Sequence, residues 1–405
     1  MSGATPPAWR RHELAYCANV HPGETLAEVL GAIGRCVVAV RERRGLDTMG
    51  AGLWLSRAAS AELARDAGQR RHFAGSLRDR GLYLFTLNGF PYGGFHSASV
   101  KERVYAPDWT TPERREYTLD LANLLAECLP EGFEEGTIST LPLGFRRGWT
   151  AEHSRRAAGN LCRLASELRS LHETTGRRVR VCLEMEPDGA LESTPETIAF
   201  FRDELPEAAR ESRTDPGPIR EYLGVCFDVC HQSVMFEDVA DSLERLRGAG
   251  IAIGKIQLSS ALEVSNPWEP RVRETLSRFA EPRYLHQVRT RGGDGAVVGA
   301  SDLPLALADP EGSAGSGWRV HFHVPVHLPE LCAGFLGTTR REINRVFDYL
   351  ARTPGLKPHL EVETYTWSVL PEELRPRDAE ELAASLALEL AWVEQRMAAC
   401  GILLP

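Results

Sequence analysis

The chain has 405 residues, 43% of them hydrophobic and 25% charged, with a formal net charge of −9. These fractions fit a globular protein and exclude a low-complexity, collagen-like or coiled-coil chain. The acidic balance and scattered arginines exclude a basic nucleic-acid stripe, and no apolar run approaches the ~18 residues of a membrane span.

Residues 1–12 read as a loose tail. The first apolar run, Leu14 to Val20, ends at His21. Residues 25–44 carry apolar side chains at helical spacing; 49–55 is strand-like, 58–80 helical, and 82–87 (LYLFTL) runs as a strand into NGFPYGGFH. Thr111-Pro112, with Glu113 in the first turn, opens a helix over 111–129. A strand at 136–142 and an amphipathic helix at 150–175 follow. The strand 178–184 (RVRVCLE) precedes a helix begun by Ser193-Thr194-Pro195-Glu196, with proline at the first helical position. Strands at 223–228 (LGVCFD) and 251–258 (IAIGKIQL) flank a helix at 237–249. After a stretch rich in Gly, Ser and Asp from 291 to 317 come a run at 319–326 (RVHFHVPV), a helix at 338–352, a strand at 359–364 (HLEVET) and a closing helix at 376–399.

Strand followed by helix, about eight times over, predicts a parallel sheet with helical crossovers. Eight units predict a single-domain α/β chain, a (β/α)8 TIM barrel over residues 13–405, rather than a doubly wound sheet, because no GxGxxG or Walker loop opens the first unit. Nine strand-like runs are present, so one is an extension, and 319–326 is the suspect. A bare barrel needs about 250 residues. The surplus falls into the tail, a lid at 88–110 carrying Lys101, and an insertion at 259–318 after strand 7.

In such barrels the active site lies at the C-terminal strand ends. Asn19 and His21 end the first strand, Asn88 ends the third, and Glu184 with Glu186 end the fifth. Asp228 and His231 end the sixth, Lys255 and Gln257 lie on the seventh, His321 and His323 on the late run, and Glu361 and Glu363 on the last. Residues two apart on a strand share a face, so LEME (183–186) and LEVE (360–363) each aim two glutamates at the barrel axis. Carboxylates and imidazoles converging on one mouth need counter-charge or a divalent metal (Zn, Mn, Mg or Co). Only Lys101, Lys255 and Lys357 are lysines among 47 basic residues. Base composition explains most of that bias, while a surviving lysine marks a place where arginine does not fit. The nine cysteines are odd in number and contain no CxxC pair. With no apolar stretch at the N-terminus, they predict a reducing, cytoplasmic setting. His327 and His359 read as structural.

The segment LGVCFDVCH resembles the Asp-x-x-His strand of the xylose isomerase-like barrel superfamily, which also contains endonuclease IV. The resemblance implies a divalent metal held by Glu184, Asp228 and Glu361 or Glu363, with His231 as a second-site histidine. Gln257 stands where most members have a metal histidine, a departure from the usual ligand set. His321 and His323 take the place of a second-metal pair. The segments LAYCANVHPGET, LNGFPYGGFH, VKERVYAPDW, KIQLSSAL, YLHQVRTR, WRVHFHVPVH and HLEVETYTW are similar to the EboE metabolite-traffic proteins over about residues 14–370. That resemblance implies a role in export of secondary-metabolite precursors, with partners from the same operon and a possible homo-oligomer.

The expected activity is a metal-dependent isomerase or epimerase acting on a small polyol- or sugar-like metabolite. Glu186 is the first candidate base and Glu363 the second, with Lys255 or His231 stabilising an oxyanion and His21, Asn88 and Lys101 binding substrate. The alternatives are a two- or three-metal hydrolase or lyase and a non-catalytic metabolite-binding barrel.

Overall fold

In the computed structural model, which describes residues 7–309 and 317–404, seven strands alternate with helices. They are β1 (Leu14–Tyr16), β2 (Met49–Trp54), β3 (Leu82–Asn88), β4 (Glu135–Thr140), β5 (Arg178–Glu184), β6 (Leu223–Asp228) and β7 (Ile253–Leu258). The chain then leaves the barrel through β8 (Leu262–Val264), β9 (Val288–Arg291), β10 (Val297–Ala300), β11 (Trp318–Val320), β12 (Glu330–Leu331) and β13 (Leu336–Thr338) before it returns as β14 (His359–Val362). The barrel strands are ordered β1-β14-β7-β6-β5-β4-β3-β2 and pair parallel throughout. A parallel bridge between Cys17 and Gly52 joins the two ends. This is a (β/α)8 TIM barrel.

Local chemistry sets the element boundaries. Ser193 caps the helix Thr194–Ala199 by accepting from the Glu196 N–H, with Pro195 in its first turn. The helical pattern over 58–80 divides into Arg57–Arg65 and Ala67–Asp79, because the Asp66 side chain accepts from the Gly68 and Gln69 N–H groups and starts a second helix. Such a side-chain cap offers the backbone an alternative to continuing the first helix.

Two expectations about the surplus residues change. Residues 1–6 of the expected tail lie outside the described residues, but 7–12 are packed. Trp9 is buried, its indole N–H donates to the Pro358 carbonyl at 3.0 Å, and its backbone bridges Leu403. The excursion after β7 is longer than 259–318, of which 310–316 lie outside the described residues. It forms a six-stranded antiparallel sheet, ordered β10-β9-β11-β8-β13-β12, that runs to Thr338. The suspect run at 319–326 is part of it. Its strand ends at Val320, and the residues after it continue as an extended loop back over the barrel mouth.

Inside the barrel, period-2 alternation holds. Leu183, Met185, Ile256, Leu258, Leu360 and Val362 join the main apolar core. Lys255, fully buried, instead points inward and lies 2.7 Å from Glu361 Oε2. Burial works against its charge, but the Glu361 carboxylate, helped by the Cys226 and Cys17 thiols, outweighs it and holds the ammonium above its ordinary pKa. Asn88 braces this pair. Its Oδ1 accepts from Lys255 Nζ at 2.9 Å, Gln257 Nε2 at 3.0 Å and Ser139 Oγ at 3.1 Å, while its Nδ2 donates to Glu361 Oε1 at 3.3 Å.

Gly52 on β2 makes room for this arrangement: a Cβ there would lie 1.3 Å from Glu361 Oε1. Gly52→Ala must therefore push the carboxylate off Lys255. Breaking a buried ion pair costs about 3–5 kcal/mol, so chemical denaturation should show a loss of that order. Gly159→Ala, in open space on a helix, should leave stability unchanged or slightly raised. Equal stability of the two variants would contradict the placement of the pair.

Candidate metal centre and active site

The strand ends open into a cavity walled by the barrel mouth, the lid and the insertion. Its floor holds Glu184, Glu186, His231, His321, His323 and Glu363, and Asn88 reaches it from β3. All are buried. Two different supports deliver them. Glu184 and Asp228 close β5 and β6, Glu186 and His231 follow one turn later, and Glu363 follows β14. His321 and His323 come from the loop after β11, held over the mouth by backbone bonds from His321 N–H to the Gln287 carbonyl and from Val324 N–H to the Ser260 carbonyl.

The three histidines are fixed in one tautomer. His231 Nδ1 lies 2.9 Å from the Met185 carbonyl, His323 Nδ1 3.0 Å from the Glu363 carbonyl, and His321 Nδ1 2.6 Å from Gln287 Oε1. The Gln287 amide is itself oriented, because its Nε2 donates to the Pro187 carbonyl at 2.9 Å. Facing acceptors, each Nδ1 carries the proton, so each neutral ring turns an Nε2 lone pair toward the others. His231 Nε2 and His321 Nε2 stand 3.1 Å apart, and His323 Nε2 has no partner. Burial, first of all, pushes all three rings below their ordinary pKa, His323 to about 4. They are neutral at pH 7, and two opposed lone pairs at that distance repel unless a cation lies between them.

The carboxylates complete the donor set. Asp228 Oδ1 accepts from the His231 N–H at 2.9 Å and Ser259 Oγ at 2.8 Å, while its buried Oδ2 has no partner. Glu186 Oε2 is likewise unpartnered. Asp228, His231 and His323 can each place a ligand atom within 4.8 Å of the others, as can Glu186, His231 and His321, and Cys230, His321 and His323. A divalent cation fits these residues: the donor chemistry is right, the atoms are buried without partners, and each histidine carries an outer hydrogen bond of the kind that orients metal-ligating imidazoles.

The surroundings perturb the acids strongly. Burial, then the charges of Glu363 and Asp228, raise Glu184 well above the usual carboxylate range. Burial raises Glu186 to about 8, against the lowering influence of the nearby Tyr105 hydroxyl. Burial and then Asp228 raise Glu363 to about 8, and its Oε1 accepts from Asn19 Nδ2 at 2.9 Å.

Other predicted residues are placed elsewhere. Glu361 and Lys255 lie beneath the cavity and pair with each other rather than lining it. Gln257 Nε2 donates to Asn88 while its buried Oε1 has no partner, and the residue does not line the cavity. His21 faces away from the mouth, bonded to the Tyr16 hydroxyl at 2.8 Å, and burial depresses it to about 3. Lys101 reaches the cavity wall, but its ammonium is taken by the carbonyls of Tyr284 and Glu281 and by Asp302 at 2.6 Å. Asn19, which with His21 ends the first strand in sequence, does reach the site through Glu363, whereas Tyr105, Tyr365, Tyr284 and Gln287 are functional neighbours not singled out from sequence. All four lie in segments carrying the family resemblance, Gln287 and Tyr284 in YLHQVRTR, Tyr105 in VKERVYAPDW and Tyr365 in HLEVETYTW, but none carries a periodic signal of its own.

No known family model matches the chain, and no curated protein matches it in sequence. Among solved structures it is similar to a xylose isomerase domain protein from Planctomyces limnophilus, at 14% identity over 99% of this chain and 100% of that one, TM-score 0.45. It is also similar to the IolI protein with a bound zinc atom, at 12% identity over 94% of this chain and 98% of that one, TM-score 0.44. A third likeness is to a family 2 AP endonuclease from Brucella melitensis, at 14% identity over 62% and 79%, TM-score 0.36.

The perturbed acids give the metal-free protein a defined pH response. Glu186 and Glu363 ionise at about 8 in the fold and near 4.5 when unfolded. Between those values the folded state holds more protons, so stability falls as pH rises. The buried histidines, His323 among them with its pKa lowered to about 4, give an opposing slope that fades as pH rises past their unfolded value near 6.5. Thermal melts of metal-stripped protein should lose stability from pH 7 to 8.5, on the order of 1 kcal/mol per glutamate. Added zinc should raise the melting temperature more at pH 8 than at pH 6.5, since ligands bind deprotonated. A flat metal-free profile over that window would count against the buried-acid arrangement.

Proposed function

We propose that this chain is a metal-dependent isomerase or epimerase acting on a small polyol- or sugar-like metabolite. The observation that supports it best is the convergence of the unpartnered Asp228 Oδ2 and His323 Nε2 with the facing Nε2 lone pairs of His231 and His321, beside the unpartnered Glu186 Oε2. Asp228, His231 and His323 would hold the ion, with His321 next to it. This nitrogen-rich set suits zinc, manganese or cobalt better than magnesium. When bound, the ion supplies Lewis-acid polarisation of a substrate oxygen.

The chain's own groups do the rest. Glu186, with a protonation point near 8, is poised to take and return a proton at a carbon beside the substrate carbonyl. Tyr105 faces that carboxylate; burial and then the Glu186 charge push its phenol far up, so it stays a hydrogen-bond donor. Asn19 steadies Glu363 on the opposite side. Lys255 acts below the site by neutralising Glu361, which leaves Asn88 oriented at the cavity floor.

One ion is favoured over two or three. Each histidine has a single free nitrogen, and His231 belongs to both imidazole–carboxylate groups. One Nε2 lone pair serves one ion, so the two groups compete rather than add. For the biological setting we propose metabolite traffic of the EboE type, supported by the run of similar segments from residue 14 to about 370.

Metal analysis should find about one divalent ion per chain, and Asp228→Ala should lose most of it. The metal-loaded protein in D₂O should exchange hydrogen beside the carbonyl in one or more of a panel of ketoses and cyclitol ketones, followed by NMR. Glu186→Gln should keep the ion and slow exchange about 10²–10⁴-fold. Exchange unaffected by that change would sink the base assignment, and metal-loaded protein that binds a ketose without exchange would favour the binding-barrel alternative.

A further inference from the structure

The cavity above the metal centre has walls of a different character from its floor. The lid contributes Phe90, Phe95, Val100, Val104 and Tyr105, and the insertion contributes Tyr284 and Leu285. The rings form two connected walls. On one side Phe90 and Tyr105 pack at 5.5 Å between centroids. On the other, Phe95, Tyr284 and Tyr365 meet each other at 5.0–5.6 Å, and Tyr365 lies 4.7 Å from the ring of His323. An aromatic surface thus runs from the outer lid down to a metal-ligating imidazole.

The same chamber lacks what a charged substrate needs. Lys101 is the one lysine or arginine among the described residues lining it, and its ammonium already serves Asp302 and two carbonyls of the insertion. No guanidinium fork faces the cavity to take a phosphate or carboxylate, the role arginine ordinarily plays. The upper walls add the Tyr105 and Tyr284 hydroxyls, both without a hydrogen-bond partner, which serve one or two polar groups but not the ladder that a long free polyol chain would use. Burying several hydroxyls against Phe90, Val104 and Leu285 would leave them unpaired, at a cost for each.

We infer that the substrate is an amphipathic, unphosphorylated molecule: a short oxygen-bearing head that meets the metal and Glu186, joined to an apolar or aromatic group that fills the chamber between lid and insertion. This inference rests on the metal-dependent reading above and adds the class of molecule. The floor binds and reacts with the head. The walls hold the tail by burial of apolar surface and ring stacking, which select against a bare sugar and against an anionic tail.

Hydroxamates test this without knowledge of the substrate, because all of them present the same two oxygens to a metal. Zinc-loaded protein should bind benzohydroxamate roughly 10- to 100-fold more tightly than acetohydroxamate, as expected for burying one phenyl ring. The monohydroxamate of succinate, with an anionic tail, should bind more weakly than acetohydroxamate. Phe95→Ser, checked for unchanged zinc content, should shrink the benzo-to-aceto ratio several-fold without changing acetohydroxamate binding. Should that variant misfold, Leu285→Asn at the half-buried insertion wall carries the same expectation. Equal affinity for the aceto and benzo compounds, or tightest binding of the succinate derivative, would overturn the substrate class while leaving the metal site standing. Failure of every hydroxamate, together with protein that retains no divalent ion, would instead overturn the metal-dependent reading itself.

Discussion

Charge balance inside the barrel governs this structure. Glu184, Glu186, Asp228, Glu361 and Glu363 are all buried at or below the mouth, and Lys255 is the cation that the barrel interior offers them. It satisfies one, Glu361. The others face each other's charge without a fixed counter-ion, and burial pushes Glu184, Glu186 and Glu363 toward the protonated form. A fold under no functional demand would replace such residues, since unpaired buried carboxylates destabilise it. Their joint presence, beside three imidazoles whose lone pairs meet, makes sense when a cation completes the set. Lysine at 255 follows from the same constraint. Its compact head fits between Asn88, Ser139 and Glu361, where a planar guanidinium with five donors would find too few acceptors and too little room.

The roof depends on a second electrostatic contact. Lys101, at a positive φ of 43°, ties the lid to the insertion through Asp302 and the carbonyls of Glu281 and Tyr284. The backbone N–H groups of Val100 and Lys101 both donate to the Arg283 carbonyl. The lid is further anchored by Arg114, which is fully buried and donates to the carbonyls of Gly89, Phe90 and Pro107. The two surplus segments are therefore one cover.

Much of this was legible from residue pattern. The alternation in LEME, LEVE and KIQL placed the inward side chains on the right face, because side-chain direction on a strand depends only on parity and the pleat cannot be evaded. The barrel followed from the repeated strand–helix units. What parity cannot report is depth along the barrel axis. Glu361 and Glu363 share a face, yet one lies beneath the cavity with Lys255 and the other lines it. Gln257 and Lys255 likewise stay low. Nor does pattern reveal which loop folds back over a mouth. His321 and His323 were visible as a pair, whereas Gln287, which fixes the His321 tautomer, is brought there by the pairing of β9 with β11, a non-local event with no periodic trace. His21 and Lys101 misled for the converse reason: one ends an expected strand and the other lies within the expected lid, but Tyr16 and Asp302 claim their polar atoms.

The division of the ligands between two supports has a further consequence. Asp228 and His231 belong to the barrel strands and the turn after β6, whereas His321 and His323 are carried by the insertion. In a typical site the ligands sit on one rigid scaffold and the covering loops are free to move. Here an ion bound between the two sets would join the cover to the barrel directly, and the 3.1 Å approach of His231 to His321 would change from a repulsive contact into a shared one. The metal centre and the aromatic chamber above it are then parts of a single assembly. The insertion contributes both the imidazoles that complete the floor and, through Tyr284 and Leu285, part of the wall that receives the rest of the substrate. An insertion held only by its own six-stranded sheet would leave both features incomplete. Clamped to Asp228 and His231, it positions them at once.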